Sequence, residues 1–345
     1  MREEFLTEAM PPIPLHDPVY GEVTFIEPLF IDLYHADAVQ RLKAIYQGGV
    51  TAFIRPQRAT TRLDHCLGVA ALLRRLGADP VEQAAGLLHD APHTAFSHVV
   101  DFVFPNRAHT YHEVHRETML EGSQIPAICA RHELDWHYVT EAENFPLLEQ
   151  PLPWLCADRL DYFLRDGAVD IGTFSAADAQ ALLPHLRVWD ACDAPDRTGQ
   201  IVVDDIEAAR WLGEQFIHLD DVCWCSVQEV GWYAVMAQAL RAALERGLLI
   251  EADFMGTDAV LFERLRAANE PTIQRWLALL RPDVDFVRDP THPDLVALPK
   301  VRAVDPPVLV DGHAVPLSHL DAAFARHREA YIASKQGEWP LRIVA

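Results

Sequence analysis

The sequence has no C-x-x-C pair. Its six cysteines, Cys66, Cys129, Cys156, Cys192, Cys223 and Cys225, are scattered, which argues against a zinc ribbon and against a disulfide framework. Cys223 and Cys225 flank Trp224 and read as buried, reduced thiols. No apolar run reaches the roughly 18–20 residues that a membrane helix needs. The N-terminal stretch MREEFLTEAMPP is acidic and lacks the apolar segment of a signal peptide, so the expected location is the cytoplasm. Basic residues are few: 29 Lys and Arg stand against 51 Asp and Glu, a formal net charge of −22. Such a surface repels a polyanion, no basic stripe offsets it, and a nucleic-acid polymer is not an expected partner. A small anionic ligand remains compatible, because a metal ion and a few local cations invert the field inside one cleft. What the chain does have is apolar material: half of its 345 residues are hydrophobic. That suffices for one large domain, or for a domain with an appendage.

The pattern along the chain is mostly helical. Residues 11–30 carry prolines and a Tyr-Gly turn and read as an extended entry segment. Helical spacing then runs from Ile31 to Gln47 and stops at Gly48-Gly49. The pattern predicts a helix from Arg62 to Leu76, closed by Gly77, and another that opens on Pro80 and runs through AAGLLHD to Pro92. A helix carrying Asp101 follows, then helices over about 110–121, 124–134, 152–166 and 175–187. Residues 187–204 read as a β-hairpin with a polar loop. A long helical stretch over 204–281 is broken at Gly247 and Gly256; a Pro-rich tail and a last helix near 317–335 complete the chain. The expected fold class is mainly α: a helical core over 15–170, a C-terminal mainly helical region over 171–345 packed on it, and a minor β-hairpin.

Chemistry concentrates between residues 62 and 166. In LLHDAPH, His89-Asp90 offers one imidazole and one carboxylate at a helix end, the mixed donors that a divalent metal accepts. Alone the pair is a weak signal, since His16-Asp17 is another and a helix C-cap with a dipole-paired histidine explains either. Its surroundings are more telling. Arg62-Leu63-Asp64-His65 opens the helix just before it, and CADRLDYFLRD places Asp158, Asp161, Tyr162 and Arg165 on one helical face. Carboxylates among core-type residues such as Trp154, Leu155, Leu160 and Phe163 need cations or hydrogen bonds.

In order along the chain, HDPVYGEV (16–23), QRLKAIYQ (40–47), RLDHCLGVA (62–70), AGLLHDAPHTAFSHVVD (85–101), YHE (111–113) and DRLDYFLRDG (158–167) resemble the deoxynucleoside triphosphate triphosphohydrolase branch of the HD superfamily. The resemblance covers about residues 15–170. It implies a helical HD core with one divalent metal ion, whose identity among Mn, Mg, Fe, Ni, Co and Zn is open. The implied metal ligands are His65, His89, Asp90 and Asp158. His93 and His98 match histidines of the phosphate channel, Asp101 an acid beside the reaction centre, and His112 the proton donor to the leaving group. Arg62, Gln47, Arg159, Tyr162 and Asp166 match positions that hold phosphate, sugar or base. The implied activity is hydrolysis of a dNTP to deoxynucleoside and tripolyphosphate, with a small anionic nucleotide as the ligand; a homo-oligomer is compatible with it. Two alternatives stay open: a nucleotide phosphatase or phosphodiesterase acting on a smaller phosphate, and a catalytically decayed metal- or nucleotide-binding module. An extra metal held by His98, His112 and His132 is a further variant. One departure bears on the substrate: the stretch WLGEQFIHLDDVCWCSVQEVG (211–231), where relatives present cations to a triphosphate, contains no Lys or Arg.

Overall fold

The computed structural model describes residues 10–104, 111–190 and 199–344, with the side chains of residues 112–114 outside the described set. The entry segment is an antiparallel hairpin, Ile13–Asp17 against Gly21–Phe25. Asp17 makes its turn, because Oδ1 accepts from the backbone N–H of Val19 and Tyr20. The helical spacing from Ile31 to Gln47 resolves into three short pieces, Pro28–Tyr34, Asp37–Gln40 and the 3-10 turn Arg41–Ala44. Long-range hydrogen bonds override the single helix: Arg41 reaches to the carbonyls of Ala91, His93 and Gly256.

Helix Arg62–Leu76 keeps its expected bounds. A Thr61/Asp64 capping box starts it and Gly77, at φ 83°, ends it. Helix Pro80–Leu88 starts on its proline under an Asp79 cap and stops at His89, ahead of Pro92, which disfavours helical geometry in the residue before it. Short helices Val99–Val103, Tyr111–Glu121 and Ile125–Arg131 follow. Helix Ala157–Arg165 begins later than the pattern suggests, after an extended Cys156, and runs into a π-turn, Asp166–Ile171. The 204–281 stretch has an additional break: a π-turn at Asp220–Trp224 and a Ser226 cap separate Ile206–Leu219 from Val227–Glu245.

The strand content exceeds the single hairpin expected. Leu186–Trp189 does pair with Gln200–Val203, but that hairpin belongs to a four-stranded sheet with Pro307–Val310 and His313–Pro316. A three-stranded sheet sets Trp339–Val344 between Asp285–Arg288 and Leu295–Ala297. Pro307–Val310 and His313–Pro316 form a local hairpin across Asp311-Gly312, but the other added partners lie far apart in sequence, so local spacing does not announce them. Among the described residues no helix is long and apolar enough to cross a membrane.

Two apolar clusters hold the chain together. One contains Leu72, Leu88, Leu160, Phe163 and Phe216; the other contains Phe96, Val99, Trp232, Phe254 and Trp339. Each draws on residues from both sides of position 170. Each fully buried large apolar side chain contributes about 1.5–3 kcal/mol. Helices Arg62–Leu76 and Ala157–Arg165 meet at Gly68, where a Cβ would lie 2.0 Å from Arg165 Nη2 and 2.1 Å from Asp161 Oδ1. Gly68→Ala is therefore expected to destabilise the protein by about 1–3 kcal/mol through overpacking and to weaken metal binding, because Asp161 must shift. Denaturant unfolding with a parallel metal titration checks both effects.

Candidate active site

Helix ends create the centre. The Thr61/Asp64 cap fixes where the first helix begins, so Arg62 and His65 fall one turn apart on its buried side. His89 terminates the next helix and Asp90 follows it. Asp158 comes from the first turn of Ala157–Arg165. His65 Nε2 lies 2.9 Å from Asp158 Oδ1, 3.8 Å from Asp90 Oδ2 and 3.2 Å from His89 Nε2. His89 Nε2 lies 3.4 Å from Asp158 Oδ1 and 3.6 Å from Asp90 Oδ1.

The outer nitrogens decide the chemistry of these donors. His89 Nδ1 is 2.7 Å from the Gly86 carbonyl, which only accepts, so His89 carries its proton there. His65 Nδ1 is 2.7 Å from Asp161 Oδ2 and donates to it in the same way. Both Nε2 atoms then present lone pairs to each other and to two carboxylates, an arrangement that repels unless a cation sits among them. Mixed imidazole and carboxylate donors with such outer partners fit a divalent ion. With no metal ion a proton on Nε2 relieves the same repulsion: burial depresses the His65 pKa, but its hydrogen bonds to Asp158 and Asp161 outweigh this and lift it to about 10, and a divalent ion would take that proton's place. Burial likewise opposes ionisation of Asp90, yet Arg62 and His89 hold it well below the usual carboxylate range. Behind the centre, Arg165 donates to both oxygens of Asp161, at 3.1 and 3.0 Å, and to Asp17 at 2.8 Å.

Arg62 bonds Asp90 and, through Nε, Ser97 Oγ at 2.8 Å; its Nη2 is buried with no hydrogen-bond partner among the described residues. Phe96 and Ser97 both take left-handed backbone geometry, at φ 61° and 51°, a strain of order 1–3 kcal/mol each. Asp258, far along the chain, holds them in place by accepting from the N–H of Phe96 and Tyr46. His93 Nε2 is 3.2 Å from Asp90 Oδ1, and burial beside Arg62 pushes its pKa well down, so it stays neutral. His98 Nδ1 is 3.1 Å from Asp101, which is buried and also accepts from the Tyr111 N–H. The side chain of His112 lies outside the described residues.

A cavity of about 550 Å³ opens beside His89, Asp90 and Asp158, and Gln47, Arg62, His93, His98, Arg159, Tyr162 and Asp166 all line it. His65 and Asp101 sit behind its wall. Arg159 is not simply aimed at the cavity: it donates to the carbonyls of Trp154 and Gln150 and pairs with Glu149. Tyr162 packs edge-on against Trp224, whose Nε1 donates to Asp166 at 2.7 Å. Burial, with Asp170 nearby, pushes Asp166 up to about 7. Gln47 Oε1 is buried without a hydrogen-bond partner among the described residues. His132 bonds Asp32 at 2.9 Å and lies outside the cavity wall.

Several cavity residues lack any motif. Trp224 and Glu229 come from the 211–231 stretch, while Lys300 and Arg302 come from a segment joining two strands. Arg58 lies 3.6 Å from Glu229, and Thr51 donates to the same carboxylate, which burial pushes up to about 7. The five described cysteines are free and buried, and Cys192 lies outside the described residues.

Residues 62–166 match the HD domain family model. The chain is 35% identical over 325 residues to the metal-dependent phosphohydrolase cns2 of Cordyceps militaris, across 93% of this chain and 92% of that one. The chain belongs to the HD-domain metal-dependent phosphohydrolases. The uncharacterized protein YdhJ of Bacillus subtilis, 34% identical over 94% of this chain and 97% of its own length, is another full-length relative of this HD phosphohydrolase. Its fold is shared by a phosphohydrolase structure from Bacteroides thetaiotaomicron, at TM-score 0.70 and 17% identity, covering 96% of this chain and 99% of that one. Similarity to the deoxynucleoside triphosphate triphosphohydrolase SAMHD1 of Mus musculus, 34% over 108 residues, spans 27% of this chain and 16% of that one.

Purified protein is expected to bind about one divalent ion per chain, and His89→Ala or Asp90→Ala to abolish that binding with the fold intact. Asp161→Asn should weaken metal affinity by about 10–100-fold, the usual effect of losing an outer partner. Elemental analysis decides; stoichiometric metal in a folded His65→Ala/Asp158→Ala double variant overturns the ligand set. A pH test follows from Glu229. Its folded pKa is raised, so its contribution to stability is full below the unfolded value near 4.3 and is lost as pH rises through about 7. Wild type should therefore lose stability relative to Glu229→Gln between those two values and level off above them, as urea unfolding across pH will report.

Proposed function

We propose that this chain hydrolyses a phosphoester of a nucleotide carrying one or two phosphates, with a divalent ion held by His65, His89, Asp90 and Asp158. The observation that carries this reading is the charge of the cavity wall. Six cations, Arg58, Arg62, Arg116, Arg159, Lys300 and Arg302, share it with eight carboxylates. Arg58, Arg62, Arg116 and Arg159 are already paired with Glu229, Asp90, Glu141 and Glu149. With all eight carboxylates ionised a divalent ion brings this wall to neutrality, and protonation of Asp166 and Glu229, each near 7, adds up to about two positive charges; that suits one or two phosphates better than the roughly four charges of a triphosphate. The volume falls within the range of about 300–1,000 Å³ typical of small-molecule sites. Tyr162, Trp224, Tyr233 and Phe102 give part of the wall an aromatic face suited to a nucleoside.

When bound, the ion supplies Lewis acidity toward a phosphoryl oxygen and lowers the pKa of a coordinated water. The chain's own groups do the rest. Arg62, anchored by Asp90 and Ser97, directs its remaining N–H groups at the phosphoryl side. Neutral His93 and the Asp101-supported His98 stand where protons must be held or passed. Gln47 Oε1 awaits a donor from sugar or base.

A second reading is hydrolysis of a dNTP to deoxynucleoside and tripolyphosphate. It is favoured by the ordered motif series over 16–167 and by the partial likeness to SAMHD1. The test is a panel of nucleoside mono-, di- and triphosphates with Mn, Mg, Fe, Co and Ni in parallel and product identification. Inorganic phosphate from mono- or diphosphates, with kcat/KM about tenfold or more above that for dNTPs, is the expected result. Tripolyphosphate as the main product establishes the second reading instead, and binding without turnover under every metal points to a module that has lost catalysis.

A further inference from the structure

The segment 298–306 joins strands Leu295–Ala297 and Pro307–Val310, and its Pro299, Lys300 and Arg302 reach the cavity. Arg302 stands apart from the other arginines there. Among the described residues its guanidinium makes one hydrogen bond, to the Lys300 carbonyl at 3.1 Å, and no ion pair. Arg58, Arg62, Arg116 and Arg159 each have a carboxylate. Arg302 lies 5.9 Å over the Trp224 ring, and Trp224 meets Tyr162 edge-on at 4.9 Å. Buried Asp220 attracts the guanidinium electrostatically but forms no ion pair with it, and a planar fork on an aromatic face is suited to a phosphate or carboxylate.

Its backbone is fixed from outside the cavity. The fully buried Asp220 accepts from the Arg302 N–H at 2.9 Å and from Tyr331 Oη at 2.8 Å. Asp220 belongs to the unexpected π-turn, and that turn also brings Trp224 beneath the guanidinium. Tyr162 is four residues beyond the metal-side Asp158, about 6 Å along the helix. Arg302 is thus linked through Trp224 and Tyr162 to the helix that carries Asp158, about one turn beyond it.

We infer that Arg302 binds a second oxyanion of the substrate, apart from the phosphoryl group at the metal centre, and that Asp220 and Tyr331 position it. The inference rests on the phosphohydrolase reading and narrows it to substrates with two anionic groups. The experiment measures steady-state kinetics of the full-length, metal-loaded chain on nucleoside monophosphates and on diphosphates and bisphosphates of the same base. For wild type, KM for the best two-phosphate substrate should lie about tenfold or more below that for the monophosphate. Arg302→Gln should raise that KM by about tenfold with kcat within about threefold, and should shrink the preference accordingly. Arg302→Lys should recover part of the loss, and Tyr331→Phe should move KM in the same direction by a smaller factor. A preference that survives in Arg302→Gln, or equal loss of kcat on both substrate types, overturns the inference. Failure of the functional reading looks different: wild type releases phosphate from nothing. In that case thermal melts with pyrophosphate read the same site. A rise in Tm for wild type but not for Arg302→Gln sustains the inference, and equal shifts overturn it.

Discussion

Two imidazole nitrogens facing each other at 3.2 Å organise this protein. Each is aimed inward by what holds the Nδ1–H on the far side of its ring, the Gly86 carbonyl for His89 and Asp161 for His65, so that a proton or a metal ion must sit among the inner donors. Asp161 in turn is clamped by Arg165, and Arg165 by Asp17 in the entry hairpin. The approach of the two helices that makes this chain of contacts fit depends on the missing side chain at Gly68. A cation at the centre relieves the repulsion among the inner donors, so metal binding and the packing of the N-terminal helices are one physical problem. Buried polar networks of this kind stabilise only when every member is satisfied.

The C-terminal half is part of the same construction. Asp258 accepts from Tyr46 and Phe96 and so fixes the strained turn that presents Ser97 to Arg62. Burial pushes Asp258 up to about 6, the mark of a carboxylate kept in an apolar place for its two backbone donors. Asp220 does comparable work for the segment that carries Arg302. Neither residue lines the cavity; Asp258 fixes the turn that anchors Arg62, and Asp220 fixes the segment whose Arg302 lines it.

The inner donor set is legible through the resemblance of short ordered motifs at 62–70, 85–101 and 158–167, whose local spacing also marks the capped helix start, the helix end at 89–90 and the helical face from 158 to 165. The outer contributors are not. Lys300 and Arg302 stand in a Pro-bounded connector with no periodicity, and Trp224 and Glu229 sit in a stretch whose composition reads as merely acidic. Their placement follows from the π-turn at 220–224 and from strand pairings between residues some 40 to more than 100 positions apart. Arg159 illustrates the opposite limit. Its position on the helix was legible, yet its donors turn to the carbonyls of Gln150 and Trp154, which no helical spacing could indicate.

The strong overall acidity need not conflict with a phosphate substrate. Net charge acts over the whole surface and is screened beyond about 8–10 Å in physiological salt, whereas recognition occurs inside a cavity where a few groups dominate. There the chain has not simply accumulated cations. It has paired most of them with carboxylates and left charge to the metal centre and to Arg302. Paired arginines keep their geometry when the cavity is empty and lend hydrogen bonds more than field to a ligand. Discrimination then comes from where unpaired charge remains. A substrate whose anionic groups match those places gains, and one with more charge than the wall can neutralise is penalised by the carboxylates beside it.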